Sequence, residues 1–265
     1  MEYLFSRLKK LKELLSHKFI LLLLDYDGTL VKIMETPGKA VIPKETKELL
    51  QKLSRSFYCK LGIISGRSLQ DIKKMIGIKN IIYSGNHGLE LEGPKIKSQT
   101  QVSLEMKAVI KNIVKELQEK LSGIKGVLIE DKGFTLSIHY RRVGEKDLPV
   151  FEKIIQEVVR PYAIRDKIKV DSGKKVYEIK LPLQWDKGKI ALWLMARQQF
   201  AAGEEQVLPV YIGDDATDED AFRALKSKGI TVFVGEPQDS QADYYLKDPE
   251  EVTKLLRLIS DLKHN

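Results

Sequence analysis

The chain has 265 residues, 43% hydrophobic and 31% charged, with 45 Lys+Arg against 37 Asp+Glu and a net charge of +8. That is ample apolar material for a sizeable core, and the length favours one large domain or a core carrying an insertion. A single cysteine, Cys59, excludes a disulfide framework and a thiolate metal site, and lysines scattered among glutamates without a basic block argue against nucleic acid as a partner.

At the N-terminus, Leu4, Phe5, Leu8, Leu11, Leu14 and Leu15 form an apolar stripe broken by lysine and arginine. That pattern predicts an amphipathic helix rather than a signal peptide. No stretch reaches the roughly 18 to 20 apolar residues of a membrane span, so a cytoplasmic protein with no membrane partner is expected. The run Phe19–Leu24 then reads as a buried strand, followed by a helix over Pro43–Leu53, a strand at Cys59–Ile64, a helix over Ser68–Met75 and a strand at Ile81–Tyr83. Alternation of this kind predicts an α/β fold, a Rossmann-like doubly wound parallel sheet.

The middle changes character. A helix is predicted over Leu104–Leu121, a hairpin from Gly126–Glu130 and Phe134–Arg141 turning on Asp131-Lys132-Gly133, a helix over Leu148–Val159, and strands at Ile168–Val170 and Val176–Ile179. Helices followed by antiparallel pairs indicate an α+β module, residues 101–182, inserted into a core formed by 1–100 and 183–265. The parallel pattern resumes with a helix over Lys187–Phe200, a strand at Val207–Ile212, a helix reaching Leu225, strands at Ile230–Val234 and Tyr244–Leu246, and a terminal helix, Pro249–Leu262.

Polar clusters follow the strands where such sheets place their chemistry. Asp25-Tyr26-Asp27-Gly28-Thr29-Leu30 comes after the first strand, and its two acids at i and i+2 point the same way. Ser65-Gly66-Arg67 follows the second, Lys187 opens a helix, and Gly213-Asp214-Asp215 follows a later strand. Carboxylates from two strands can hold Mg²⁺, a hard ion that prefers oxygen ligands. Lys187 and the Ser65 hydroxyl can hold a phosphate beside it, and an aspartate can serve as nucleophile.

This order of motifs, D-Y-D-G-T-L, S-G-R, a lysine and G-D-D-x-T-D-E-D, resembles the haloacid dehalogenase superfamily of phosphotransferases. The insert resembles that superfamily's larger α/β cap. Within it, the similarity to trehalose-6-phosphate phosphatases runs nearly end to end, through Gly85-Asn86-His87-Gly88, Glu130-Asp131-Lys132, His139-Tyr140-Arg141, Trp185-Asp186-Lys187-Gly188 and Gly213 through Phe222. The resemblance implies Asp25 as nucleophile and Asp27 as general acid, with Mg²⁺ held by the Asp25 carboxylate, the Asp27 carbonyl and Asp214, assisted by Asp218 or Asp215. It implies Ser65 and Lys187 at the phosphoryl group. Arg67, Asn86 and His87 are then expected on the core side of the sugar, and Glu130, Lys132, Arg141 and Glu178 on the insert side, with closure of the cap excluding water.

The expected activity is hydrolysis of trehalose 6-phosphate through an aspartyl-phosphate, the last step of trehalose biosynthesis. A separate trehalose-phosphate synthase chain is the expected source of substrate. The alternatives are a related phosphatase acting on mannosyl-3-phosphoglycerate or sucrose phosphate, a phosphomutase, or a catalytically silent sugar-phosphate sensor.

Overall fold

Apolar runs bounded by polar, glycine-bearing turns set the element order in this computed structural model, which describes residues 1–100, 102–173, 175–183, 185–202, 207–237 and 239–263. The first segment forms β1 (Glu2–Tyr3), α1 (Leu8–Ser16), β2 (Phe19–Leu24), α2 (Lys44–Ser54), β3 (Cys59–Ile64), α3 (Leu69–Ile76), β4 (Ile82–Gly85), β5 (Glu90–Gly93) and β6 (Ile96–Gln99). The middle forms α4 (Leu104–Lys120), β7 (Leu128–Asp131), β8 (Thr135–His139), α5 (Leu148–Ala163), β9 (Lys169–Gly173) and β10 (Val176–Lys180). The last segment forms α6 (Lys187–Ala202), β11 (Val207–Gly213), α7 (Glu219–Leu225), β12 (Ile230–Val234), β13 (Tyr244–Leu246) and α8 (Pro249–Leu262). These elements gather into two compact units, Met1–Gln99 with Trp185–Asn265, and Thr100–Gln184. Gln101, where the insert is expected to begin, lies outside the described residues.

The first unit is built on a nine-stranded sheet of order β1-β13-β12-β11-β2-β3-β4-β5-β6. Pairing is parallel from β1 through β4. β2 lies between β11 and β3, with Leu22 opposite both Val210 and Leu61. Strands covered on both faces are apolar on both, and Ile20 through Leu24 are fully buried. Ile20, Leu22 and Leu24 pack into one layer with residues of α1, α2, α3 and α8, while Leu21 and Leu23 pack into another with α6 and α7. That is the doubly wound α/β arrangement expected from the sequence.

Helix ends follow the local chemistry. Ser68 caps α3 by accepting the Asp71 amide, and Gly77 closes it in the left-handed region at φ 63°. The hairpin β5–β6, which pairs antiparallel with β4 and extends the sheet, is absent from the sequence-based expectation. Its short Glu-Leu-Glu-Gly strand is too polar to carry a strand signal. No helix among the described residues is long and apolar enough to cross a membrane.

The second unit is a two-layer α+β module whose antiparallel sheet has the order β7-β8-β10-β9. Its apolar face, with Leu136, Ile138 and Ile179, packs against Ile113 and Leu117 of α4 and Phe151 and Ile155 of α5. Alternation leaves Glu130, Ser137, Glu178 and Asp171 on the opposite face, in register across all four strands.

Candidate active site

β2 ends at Leu24, and the Asp25 amide still bonds to the Ile212 carbonyl of β11, so the sheet itself fixes where the Asp25 side chain begins. A tight turn follows, with Leu30 and Val31 donating back to the Tyr26 carbonyl and Gly28 donating to the Val31 carbonyl at 2.7 Å. Gly28 takes a φ of +87°, and a Cβ there would lie 2.0 Å from Asp214 Oδ2. No side chain fits between that turn and the Asp214 carboxylate.

Asp25, Asp214 and Asp218 are all buried, and each offers a carboxylate oxygen to a group spanning no more than 4.8 Å. Lys187, at the start of α6 and 2% exposed, places Nζ 2.8 Å from Asp25 Oδ1, 2.8 Å from Asp218 Oδ1 and 3.9 Å from Asp215 Oδ1. One ammonium against three buried carboxylates leaves an excess of negative charge. Burial therefore pushes the Asp25 carboxyl well up despite Lys187, and it pushes Asp218 up to about 6. Lys187 moves the other way from a lone buried amine: burial alone would lower it, but Asp218 and Asp25 raise it further. Asp25 and Asp214, with Asp218 packed behind them, make a cluster of hard oxygen donors with unbalanced charge that a divalent cation fits.

Asp218 has a distinct place in this cluster. Its Oδ1 accepts from Lys187 and from the buried Tyr211 hydroxyl at 2.7 Å, while Oδ2 accepts from the amides of Asp214 and Asp215 at 3.0 and 3.1 Å. Those four donors fill the acceptor capacity of a carboxylate. Asp218 thus organises the loop and the lysine around it. Asp214 accepts from the Thr29 hydroxyl at 3.5 Å.

Asp27 receives both arms of a guanidinium, Arg67 Nε at 2.6 Å and Nη2 at 2.7 Å. Arg67 also reaches Asp71 at 3.2 Å and the Pro37 carbonyl at 2.9 Å, and stacks over the Tyr26 ring. Arg67, expected at the sugar, thus donates to Asp27, Asp71 and the Pro37 carbonyl. Ser65 follows β3, the strand beside β2, and its Oγ accepts the Arg67 amide at 3.2 Å. Asn86 and His87 follow β4 with φ of 49° and 56°, a conformation side chains rarely adopt twice running. Their amides bond to the carbonyls of Arg67 and Ser65, locking this turn to the one after β3. The Asn86 side chain donates to Glu90 at 2.7 Å, and Glu90 also accepts the Leu69 amide that opens α3.

In the second unit, Glu130 and Glu178 flank Ser137 in register. Lys132 Nζ lies 3.9 Å from Glu178, and His139 Nε2 lies 3.3 Å from Glu130. Arg141 sits in the exposed turn after β8. Sequence reasoning missed Tyr211, Glu90 and Lys180. Tyr211 is one polar atom inside an apolar strand, and nothing in a linear pattern marks it.

Residues 23–250 match the family model of trehalose-phosphatase. Over 258 residues the chain is 36% identical to trehalose-phosphate phosphatase B of Arabidopsis thaliana, covering 93% of this chain and 67% of that protein. It is 34% identical over 262 residues to trehalose 6-phosphate phosphatase RA3 of Zea mays, covering 93% and 71%. Among solved structures it resembles the C-terminal domain of the Candida albicans trehalose-6-phosphate phosphatase, with a TM-score of 0.79, 27% identity and coverage of 95% and 97% of the two chains.

Proposed function

From a chain that belongs to the trehalose-phosphatase family, a phosphatase with the haloacid dehalogenase fold, we propose Mg²⁺-dependent hydrolysis of trehalose 6-phosphate to trehalose and phosphate. The observation that carries this reading is the buried Lys187, 2.8 Å from Asp25, amid carboxylates from the carboxyl ends of two neighbouring strands. An acid placed there can approach a phosphate dianion only if cations offset the charge.

Asp25 attacks phosphorus as the bond to the sugar oxygen breaks, giving an aspartyl-phosphate. Asp27 gives its proton to the departing oxygen, then takes one from the water that displaces phosphate from Asp25. Both Asp27 oxygens accept from Arg67. Acting as an acid requires one oxygen to turn toward the substrate, and its partly exposed side chain leaves room for that. Lys187 and Ser65 hold the phosphoryl oxygens. Asp25, the Asp27 carbonyl and Asp214 would hold Mg²⁺, with Asp218 fixing Asp214 and Lys187 in place. When bound, the ion supplies positive charge at the phosphoryl oxygens.

Asn86 and His87 from the first unit, and Glu130, Lys132, Arg141 and Glu178 from the second, are proposed sugar contacts, since carboxylates and ammonium groups suit hydroxyls. The proposed setting is the cytoplasm, with a trehalose-phosphate synthase supplying substrate.

The test is phosphate release from trehalose 6-phosphate, sucrose phosphate, mannosyl-3-phosphoglycerate and monosaccharide phosphates, with Mg²⁺ and with chelator. Activity is expected to concentrate on trehalose 6-phosphate, to need the ion, and to vanish in Asp25→Asn. Broad turnover of monosaccharide phosphates with trehalose 6-phosphate poor would refute the substrate, and an active Asp25→Asn would refute the nucleophile.

A further inference from the structure

Along the polar face of the second unit, one row crosses all four strands: Glu130 on β7, Ser137 on β8, Glu178 on β10 and Asp171 on β9. Glu178 and Asp171 are direct cross-strand partners, and like charges in that position repel. Unaided, the pair relieves the repulsion by swinging one carboxylate away.

Lys180 prevents that movement. It sits two residues after Glu178 on the same strand and therefore on the same face. Its Nζ lies 3.2 Å from Glu178 Oε2 and 3.0 Å from Asp171 Oδ2, bridging the two acids. The side chain is 17% exposed, against 59% for Asp171. Burial alone would lower the Lys180 ammonium, but Glu178 and Asp171 raise it above the usual lysine value, so the bridge stays charged. The other Glu178 oxygen, Oε1, faces Ser137 Oγ at 3.4 Å and Lys132 Nζ at 3.9 Å. Lys180 thus draws one oxygen of Glu178 toward β9 and leaves Oε1 on the side of Ser137 and Lys132.

We propose that Lys180 is a positioning residue for sugar recognition, holding Glu178 aimed by bridging it to Asp171. The inference rests on the reading of Glu178 as a sugar contact. The Lys180–Asp171 bridge sets the direction of the acceptor, and the hydroxyls of the substrate meet Glu178 rather than Lys180. An acceptor fixed before binding spares the ordering cost that a mobile glutamate imposes, so the effect falls on substrate affinity rather than on the chemical step.

The experiment is a double-mutant cycle on the full chain with Glu178→Gln, Lys180→Met and the pair, reading KM and kcat separately for trehalose 6-phosphate and for p-nitrophenyl phosphate, which carries no sugar. Lys180→Arg, which keeps the charge and both donors, serves as the rescue variant and the check on folding. Lys180→Met is expected to raise KM for trehalose 6-phosphate about five- to tenfold with kcat within about twofold, within the range one ordinary net hydrogen bond spans. Lys180→Arg should restore most of it, p-nitrophenyl phosphate should respond far less, and the double variant should be no worse than Glu178→Gln alone. An unchanged KM in Lys180→Met, or effects that multiply in the double variant, overturns the positioning role while Glu178 keeps its own. An unchanged KM in Glu178→Gln overturns the underlying sugar contact and the inference with it.

Discussion

Gly28→Ala separates site geometry from fold stability more cleanly than any catalytic substitution. The glycine has φ +87°, and the added Cβ would lie 2.0 Å from Asp214 Oδ2 and 2.2 Å from Asp214 Cγ. Ordinary contact needs about 3.4 Å, so the carboxylate must retreat by more than an ångström. The left-handed backbone costs an alanine roughly 1–2 kcal/mol, which for a chain of this size lowers the melting temperature by about 2–8 °C. A misplacement of about 1 Å in a catalytic constellation costs on the order of 100-fold, or about 2.7 kcal/mol of transition-state stabilisation. Gly77→Ala is the control: φ is +63°, but the nearest atom to its Cβ is a lysine tip at 3.5 Å. Both variants should melt slightly early. Only Gly28→Ala should lose about two orders of magnitude in kcat/KM and need more divalent ion for half-maximal activity. Equal activities in the two variants, or an unchanged ion requirement in Gly28→Ala, would refute the claim that this close approach positions Asp214.

Two further outcomes follow from the same cluster. Burial raises Asp218 from 3.8 to about 6, so the folded chain holds that proton more tightly than the unfolded chain. Its contribution to stability is complete below about pH 4 and is lost as pH climbs toward about 6, a loss of about 3 kcal/mol at 1.36 per unit. A divalent ion beside the cluster favours its ionised form, so its rise in melting temperature should be small near pH 4 and grow toward about pH 6. An ion effect that shrinks across that window contradicts the assignment. Tyr211→Phe removes one charge-assisted hydrogen bond to Asp218, worth about 1.5–3 kcal/mol, and denaturant melts identical to the parent's would show that the bond contributes nothing.

The sequence carried the site's nucleus because the chemistry lies at strand ends, and strand ends are legible. A fully apolar hexamer running into Asp25 can only be a covered parallel strand, and Asp214 follows Val207–Ile212 for the same reason. The pairing of Arg67 with Asp27 was not legible, because a guanidinium beside a phosphate site suits substrate and acid equally, and the two bonds exist only in the folded chain. The four donors to Asp218 were hidden too, since two are backbone amides and one is a tyrosine inside an apolar strand. In the insert, the family resemblance marked Glu130 and Glu178. The register that sets Asp171 beside Glu178 is a matter of strand pairing, which no single strand reveals.

The strand that carries Asp25 takes its two neighbours from distant parts of the chain: β3 arrives soon after it, whereas β11 begins only at Val207. While the intervening segment is being synthesised, five fully apolar residues therefore present an unsatisfied hydrogen-bonding edge, the kind of surface that recruits other nascent chains. Competence arrives late and all at once, when β11 closes that edge and delivers Asp214 in the same stroke. A chain stopped before Val207 is then a hazard to its neighbours, not a weaker catalyst.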